Sequence, residues 1–337
     1  MIQKNDDPTT SENPRMFAAL RILEHFTPPT VYGQAPYWRA PVSPPSAKAF
    51  VPSWNWTAGH HELPVNDEPI TCDYNGAFLS AIGSVEIAHG QLKHVEEIDP
   101  WDLDPRKVPP GYYLIDVFHW AFSGTIVSPL GTSELLKTTP QIWVTHPTLT
   151  LLLELLQEGT LGELVISEAW VTDRRTNFRE WTKKLKTART ALLDNRDKAD
   201  TPQDIIAAQA RYDAFKEGYG AALSMMLTGK RCRTKRPDWA HAVYGQHAAT
   251  SWRKAWRFSA IGPILSMGNT DEITVLKADL MKAIKLDKPP VRWDSSGRAL
   301  GHLKEKRPET NEDQAVEEQQ HPEDMDFVMS DTFEDVL

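Results

Sequence analysis

Two short stretches of this 337-residue chain, about two hundred residues apart, constrain its fold more than any other feature. The first, Cys72-Asp73-Tyr74-Asn75-Gly76-Ala77-Phe78-Leu79-Ser80, follows a strand-like Ile70-Thr71 and passes through a turn-like Asp73-Tyr74-Asn75-Gly76 into an apolar helix start over 77–82. The second, Met267-Gly268-Asn269-Thr270-Asp271-Glu272-Ile273-Thr274-Val275, joins two strand-like runs, 264–267 and 273–276, through a polar turn. Each places an acid at a strand end, where side chains are displayed. An isolated aspartate in a turn ordinarily caps nearby backbone amides. Two brought together by the fold form a carboxylate pair for divalent metal ions, the arrangement that serves phosphoryl transfer. The expectation is that Asp73 and Asp271 meet.

The intervening chain alternates strands and helices. Periodicity predicts a helix over 14–25, an extended proline-rich arm over 27–52, and strands over 111–117, 141–145 and 165–171, with 118–127 continuing the first. Residues 147–157 read as an apolar helix. Two long helices, 177–195 and 201–227, flank a polar turn in which Asp200 or Thr201 is the N-cap and Pro202 sits in the first turn. Further helices are predicted over 238–260 and 278–285. Without a repeat or heptad array, this pattern specifies an α+β domain with a helical hairpin set into a sheet.

Composition narrows the class. Residues 309–337 carry eleven acids and no Lys or Arg, which more than accounts for the net charge of −9 and leaves the body slightly positive. That segment has the like-charge crowding of disorder, and reads either as a solubilising tail or as a short motif that docks on a partner or covers a basic groove. No run of eighteen apolar residues occurs, and the polar, acidic start does not resemble a signal peptide, so a cytoplasmic protein without a membrane partner is expected. Cys72 and Cys232 lack the spacing of a disulfide framework or zinc site.

Two further regions suit nucleotides and nucleic acid. On the helix over 207–226, Arg211, Phe215 and Tyr219 are spaced four apart and Lys216 lies on an adjoining face. Cations there could neutralise triphosphate oxygens while Tyr219 packs against a base, or the rings could be core and the cations solvated. Between 229 and 257, eight Lys/Arg stand against one acid, among Trp239, His241, Tyr244, His247, Trp252 and Trp256. That composition fits a nucleic-acid backbone, and equally a solvated loop followed by a Trp-rich core helix.

In this order the motifs resemble those of family B DNA polymerases, in particular the protein-primed branch of phages and linear plasmids. The stretch from Asp73 to Ser80 resembles the first palm motif, D-x-x-S-L-Y-P, which implies Asp73 as a metal ligand and Phe78 as the ring screening the 2′ side of the sugar. Residues 141–168 resemble the segment before the fingers and 177–186 the first fingers helix. Tyr219-Gly220 match the end of the second fingers motif, K-x-x-x-N-S-x-Y-G, while Tyr212 replaces its lysine and Lys216-Glu217 its Asn-Ser. Asn269-Thr270-Asp271 resembles D-T-D with the first acid changed and the second kept. Ala299-Leu300-Gly301-His302-Leu303-Lys304-Glu305 resembles the L-G-x-x-K-x-E strand, with Lys304 facing primer terminus or phosphates.

The resemblance implies a polymerase-like palm with an antiparallel sheet, helical-hairpin fingers and a disordered acidic tail. The implied division is a leader and arm (1–50), first palm part (51–176), fingers (177–230), second palm part (231–306) and tail (307–337). It implies Mg²⁺- or Mn²⁺-dependent transfer of a deoxynucleotide to a nucleic-acid or protein primer, with Asp73 and Asp271 catalytic and metal-binding. Phe78, Arg211, Lys216 and Tyr219 would meet the dNTP. Lys304, Lys230, Arg231, Arg233, Lys235 and Arg236 would follow the DNA. A reduced relative is expected, without exonuclease or thumb; a further reading splits the polymerase over separate chains, with a second chain as partner supplying thumb or primer. The alternative is a catalytically silent relative that binds DNA or scaffolds a plasmid or phage replication complex, which Asn269 and the altered fingers motif favour.

Overall fold

The computed structural model describes residues 14–24, 26, 45, 48–59, 68–122, 125–228 and 235–306. The expected acidic tail, leader and most of the arm lie outside the described residues. The helices are α1 (Pro14–Glu24), α2 (Ala77–Ser84), α3 (Leu135–Thr138), α4 (His146–Gln157), α5 (Arg179–Asp197), α6 (Pro202–Thr228), α7 (Pro237–Ser259) and α8 (Lys277–Ala283). The strands are β1 (Asn55–Thr57), β2 (Pro69–Tyr74), β3 (Glu86–Ala88), β4 (Lys93–Ile98), β5 (Gly111–Asp116), β6 (Gln141–Thr145), β7 (Ile166–Val171), β8 (Arg175–Asn177), β9 (Ile264–Gly268), β10 (Glu272–Leu276) and β11 (Leu303–Glu305).

The chain forms two compact units: α1, α5 and most of α6 in one, and residues 28–179 and 226–306 in the other. In the helical unit, Thr201 Oγ1 accepts the Asp204 N–H at 3.2 Å and caps the start of α6. Phe26 meets Trp181 edge-on at 4.9 Å. Trp181, Leu185, Phe215, Tyr219 and Leu223 are buried there.

The larger unit is built around an antiparallel sheet in the order β1-β9-β10-β2-β11. Side chains alternate across it as the pleat requires. One face, with Cys72, Tyr74, Met267, Ile273, Val275 and Leu303, is buried in the core. The other carries Thr71, Asp73, Glu272, Thr274 and Lys304, and its hydroxyls form a ladder: Ser266 Oγ to Thr274 Oγ1 at 2.8 Å, and Thr274 Oγ1 to Thr71 Oγ1 at 3.0 Å. A second antiparallel sheet, β4-β7-β5-β6, and the ribbon β3-β8 complete the strands. Helix α7 links these parts, packing against α2, α4, β3 and β9.

The structure departs from the sequence pattern in several places. Residues 118–127 form no strand among those described. Instead the Trp120 indole donates to the Ile126 carbonyl at 2.9 Å and the Ile126 N–H to the Phe122 carbonyl at 3.0 Å, bonds made locally rather than to a neighbouring strand. Asp73 belongs to strand β2 rather than to a turn, because it has ladder partners on both sides. No described helix is long and apolar enough to cross a membrane.

Candidate functional site

Strand β2 reaches through Asp73 because Glu272 on β10 and Lys304 on β11 both lie directly opposite it. The chain then leaves the sheet through Gly76, whose φ of 55° is left-handed and suits a residue without a Cβ. Asn75 is 4% exposed, and its amide donates to the carbonyls of Gly297 and, at 3.0 Å, Ala299. Gly301 N–H returns a bond to the Asn75 carbonyl at 2.7 Å. Asp294 holds the same loop, accepting from Ser296 N–H at 3.0 Å and Ala299 N–H at 2.5 Å. Burial alone would raise the Asp294 pKa, but hydrogen bonds from Ser296, Ala299 and Arg298 hold it below the usual range. This tie sets where β11 begins, and so where Lys304 stands.

The second aspartate approaches through the β9–β10 turn. Asn269 and Thr270 both take positive φ, 47° and 70°. For the β-branched Thr270 that conformation costs on the order of 1–3 kcal/mol. The Asp271 carbonyl accepts the Tyr74 N–H at 3.2 Å, so Asp73 and Asp271 stand at the same end of neighbouring strands. Each charge reaches a different residue of β2. The Tyr74 hydroxyl is pushed up by burial, then by Cys72 and Asp271, and the Cys72 thiol is pushed up to about 12 by burial, then by Glu305 and Asp73.

The open face carries a row of alternating charge. Asp73 Oδ2 lies 3.6 Å from Lys304 Nζ, and Glu272 Oε2 accepts Lys306 Nζ at 2.7 Å. Asp73 Oδ1 is buried and has no hydrogen-bond partner. A carboxylate oxygen cut off from both water and donors is an acceptor suited to a hard cation. No group of three or more His, Cys, Asp or Glu converges among the described residues.

The other candidate residues are dispersed. Phe78, partly buried, is the second residue of α2. Arg211, Lys216 and Tyr219 belong to the helical unit. There Lys216 is exposed, while Tyr219 is 4% exposed and packs edge-on against Phe215 at 5.7 Å, as a core ring does. Two residues the sequence did not single out, Arg189 and Arg196, stand over the Tyr212 ring at 5.9 and 5.5 Å and bring cations to the position where the family motif has lysine.

Lys230, Arg231 and Arg233 lie outside the described residues. Lys235 is partly buried, but Arg236 does not suit the DNA contact expected of it. It is 0% exposed. Its Nε and Nη2 donate to Asp238 Oδ1 and Oδ2 at 2.9 and 2.7 Å, its Nη2 also donates to the Ala88 carbonyl at 3.2 Å, and its guanidinium lies 4.1 Å over Trp239. Its donors are spent inside the protein, joining β3 to the start of α7. Trp239 and Trp252 are likewise fully buried, so the Trp-rich core alternative describes this helix. Lys254, also not singled out, donates to the Gly301 carbonyl at 2.7 Å from 4.1 Å over the Tyr74 ring. Burial, and then Arg292, lowers its pKa to about 8. Nothing in a single helical lysine signals that position.

No protein-family model matches the sequence, and no curated protein is similar to it in sequence. Among solved structures, phi29 DNA polymerase in an orthorhombic crystal form matches 86% of this chain and 52% of its own, with TM-score 0.50 and 12% identity. Phi29 DNA polymerase complexed with primer-template DNA and incoming nucleotide substrates matches 85% of this chain and 52% of its own, with TM-score 0.48 and 14% identity. The chain spans about half the length of the polymerase it matches. Its fold is DNA-polymerase-like, a mixture of helices and antiparallel sheet, and the expected resemblance is borne out at the level of the fold.

Proposed function

We propose that the chain is a nucleotidyltransferase of the family B DNA polymerase kind, which transfers a deoxynucleotide to the hydroxyl of a nucleic-acid or protein primer. One observation carries this reading: in a polymerase-like fold, two aspartates stand at the same end of adjacent strands, one with a buried, unpartnered carboxylate oxygen. In this reading the five-stranded sheet is the palm and the α5–α6 hairpin the fingers. Asp73 and Asp271 hold Mg²⁺ or Mn²⁺. Bound ions would neutralise charge developing on the phosphoryl oxygens and favour deprotonation of the attacking hydroxyl. Lys304, on the same face as Asp73, is a counter-ion for that carboxylate without substrate and a phosphate ligand with it. Phe78 screens the sugar, Arg211 and Lys216 are offered as cations for the triphosphate, and Tyr219, a core ring of the helical unit, is left with a packing role. Lys230, Arg231, Arg233 and Lys235 remain as contacts to DNA. Incorporation of labelled dNTP on a primed template tests the assignment. Asp73→Ala should lose at least about 10²-fold in rate, and incorporation equal to wild type would sink the proposal.

A second reading is a catalytically silent relative that binds DNA in a plasmid or phage replication complex. It is favoured by Asn269 at the first acidic position of the D-T-D motif and by the lysines already set against Asp73 and Glu272. A rise in melting temperature that needs both Mg²⁺ and dNTP supports the enzyme. Salt-sensitive DNA binding indifferent to both supports the silent binder.

A further inference from the structure

The Phe78 ring is backed by one face of α7. Tyr244 meets it edge-on, with centroids 5.6 Å apart and planes at 86°, and His247 lies against it at 4.4 Å and 46°. Tyr244 and His247 are three residues apart and therefore neighbours on the helix surface, and α2 packs along that helix. Phe78 is the second residue of α2, after the left-handed Gly76 and Ala77, so its backbone is set by the turn and the helix start.

His247 itself is unusual. It is 3% exposed, and its Nε2 is buried without a hydrogen-bond partner. No hydrogen bond at that nitrogen orients the imidazole, so packing holds it, and the Phe78 ring is part of that packing. His247 also lines a small polar cavity with Tyr74, Ser80, Ser251, Lys254 and Gly301, which places it behind the residues that follow Asp73. Burial, and then Lys254, pushes its pKa down to about 4, so the ring meeting Phe78 near neutral pH is the uncharged imidazole.

We propose that His247 is a positioning residue for Phe78: by backing the ring it fixes where the ring edge stands, and so sets how strongly the site prefers deoxyribose over ribose. This inference rests on the sugar-screening role proposed above for Phe78. Without His247 the ring can swing away from the sugar, at the loss of a contact worth about threefold to tenfold in an equilibrium constant.

The test is the ratio of Kd values for dATP and ATP, measured with Mg²⁺ on the full chain bound to a primer–template that ends in a dideoxynucleotide. Wild type should prefer dATP, and Phe78→Ala should abolish the preference. His247→Ala should lower the ratio about threefold to tenfold, and His247→Phe, which restores a ring, should bring it back to within about twofold of wild type. If circular dichroism shows that His247→Ala does not fold, His247→Leu takes its place, filling the volume without a ring, and should lower the ratio similarly. A ratio unchanged in His247→Ala or His247→Leu, while Phe78→Ala loses selectivity, overturns this inference and leaves the sugar-screening role standing. A His247→Phe ratio as low as that of His247→Ala also overturns it. A wild-type preference retained in Phe78→Ala, or no preference in wild type, overturns both.

Discussion

The open face of the five-stranded sheet and the buried flank of α7 both gather charged and polar side chains, and they satisfy them in opposite ways. At α7, Arg236 is enclosed completely, with a two-pronged bond to Asp238, a bond to the Ala88 carbonyl and Trp239 beneath it. On the sheet face, Asp73 has one oxygen 3.6 Å from a partly exposed lysine and the other unpartnered. A buried ion is tolerated only when its hydrogen bonds are complete, and complete bonds leave nothing for a ligand. An incompletely satisfied carboxylate costs stability and keeps its capacity for a cation. Charge clusters in one chain thus divide into those that hold the fold and those that remain available to chemistry.

The largest effect should come from acid acting on the buried side. Burial pushes His146, His241 and His247 down to about 4, in His146 against a hydrogen bond to the Glu86 carbonyl that favours the charged form. Unfolded, they titrate near 6.5. Between those values the unfolded chain binds more protons, so their contribution is complete above 6.5 and is lost as pH falls towards 4. For three protons the slope approaches about 4 kcal/mol per pH unit. Urea denaturation across that window measures it, and a flat profile would erase the contrast between the regions.

Next comes Arg236→Ala, which leaves Asp238 buried and unpaired and should cost about 3–5 kcal/mol in the same assay. DNA affinity per folded molecule should not change; a clear loss would return Arg236 to the binding surface. Asp73→Asn should do the reverse, costing incorporation about 10²- to 10³-fold while unfolding free energy moves by less than about 1 kcal/mol. The smallest effect is expected from Lys304→Ala. Its partly exposed ion pair contributes at most about 1 kcal/mol, but the salt dependence of DNA binding should flatten by about one unit of log–log slope.

The legible parts were those governed by local pattern. Apolar alternation located β2, β9 and β10, and the hairpin α5–α6 followed from helical periodicity, its Thr201 cap and Pro202. Strand β4 was missed because Lys93-His94-Val95-Glu96-Glu97-Ile98 has no apolar face to signal it; it is an edge strand defined by pairing with β7. Residues 118–127 misled in the other direction, since alternation without a ladder partner does not make a strand. Arg236 read as one cation in a basic run, and only its enclosure by Ala88, Asp238 and Trp239 showed otherwise.

By itself the sequence determined the elements around the site: a strand ending in an acid, a glycine able to take the left-handed turn at 76, a helix opening with Phe78, and a polar hairpin turn carrying Asp271. Those choices depend on neighbours within a few residues. Register, and everything that follows from it, was decided only in three dimensions. Pairing β2 with both β10 and β11 put Glu272 and Lys304 beside Asp73, brought Asp271 to its end of the sheet, and left one carboxylate oxygen without a partner. Cross-strand pairing joins residues far apart in the chain, and which face of a strand is buried depends on the whole core rather than on local pattern.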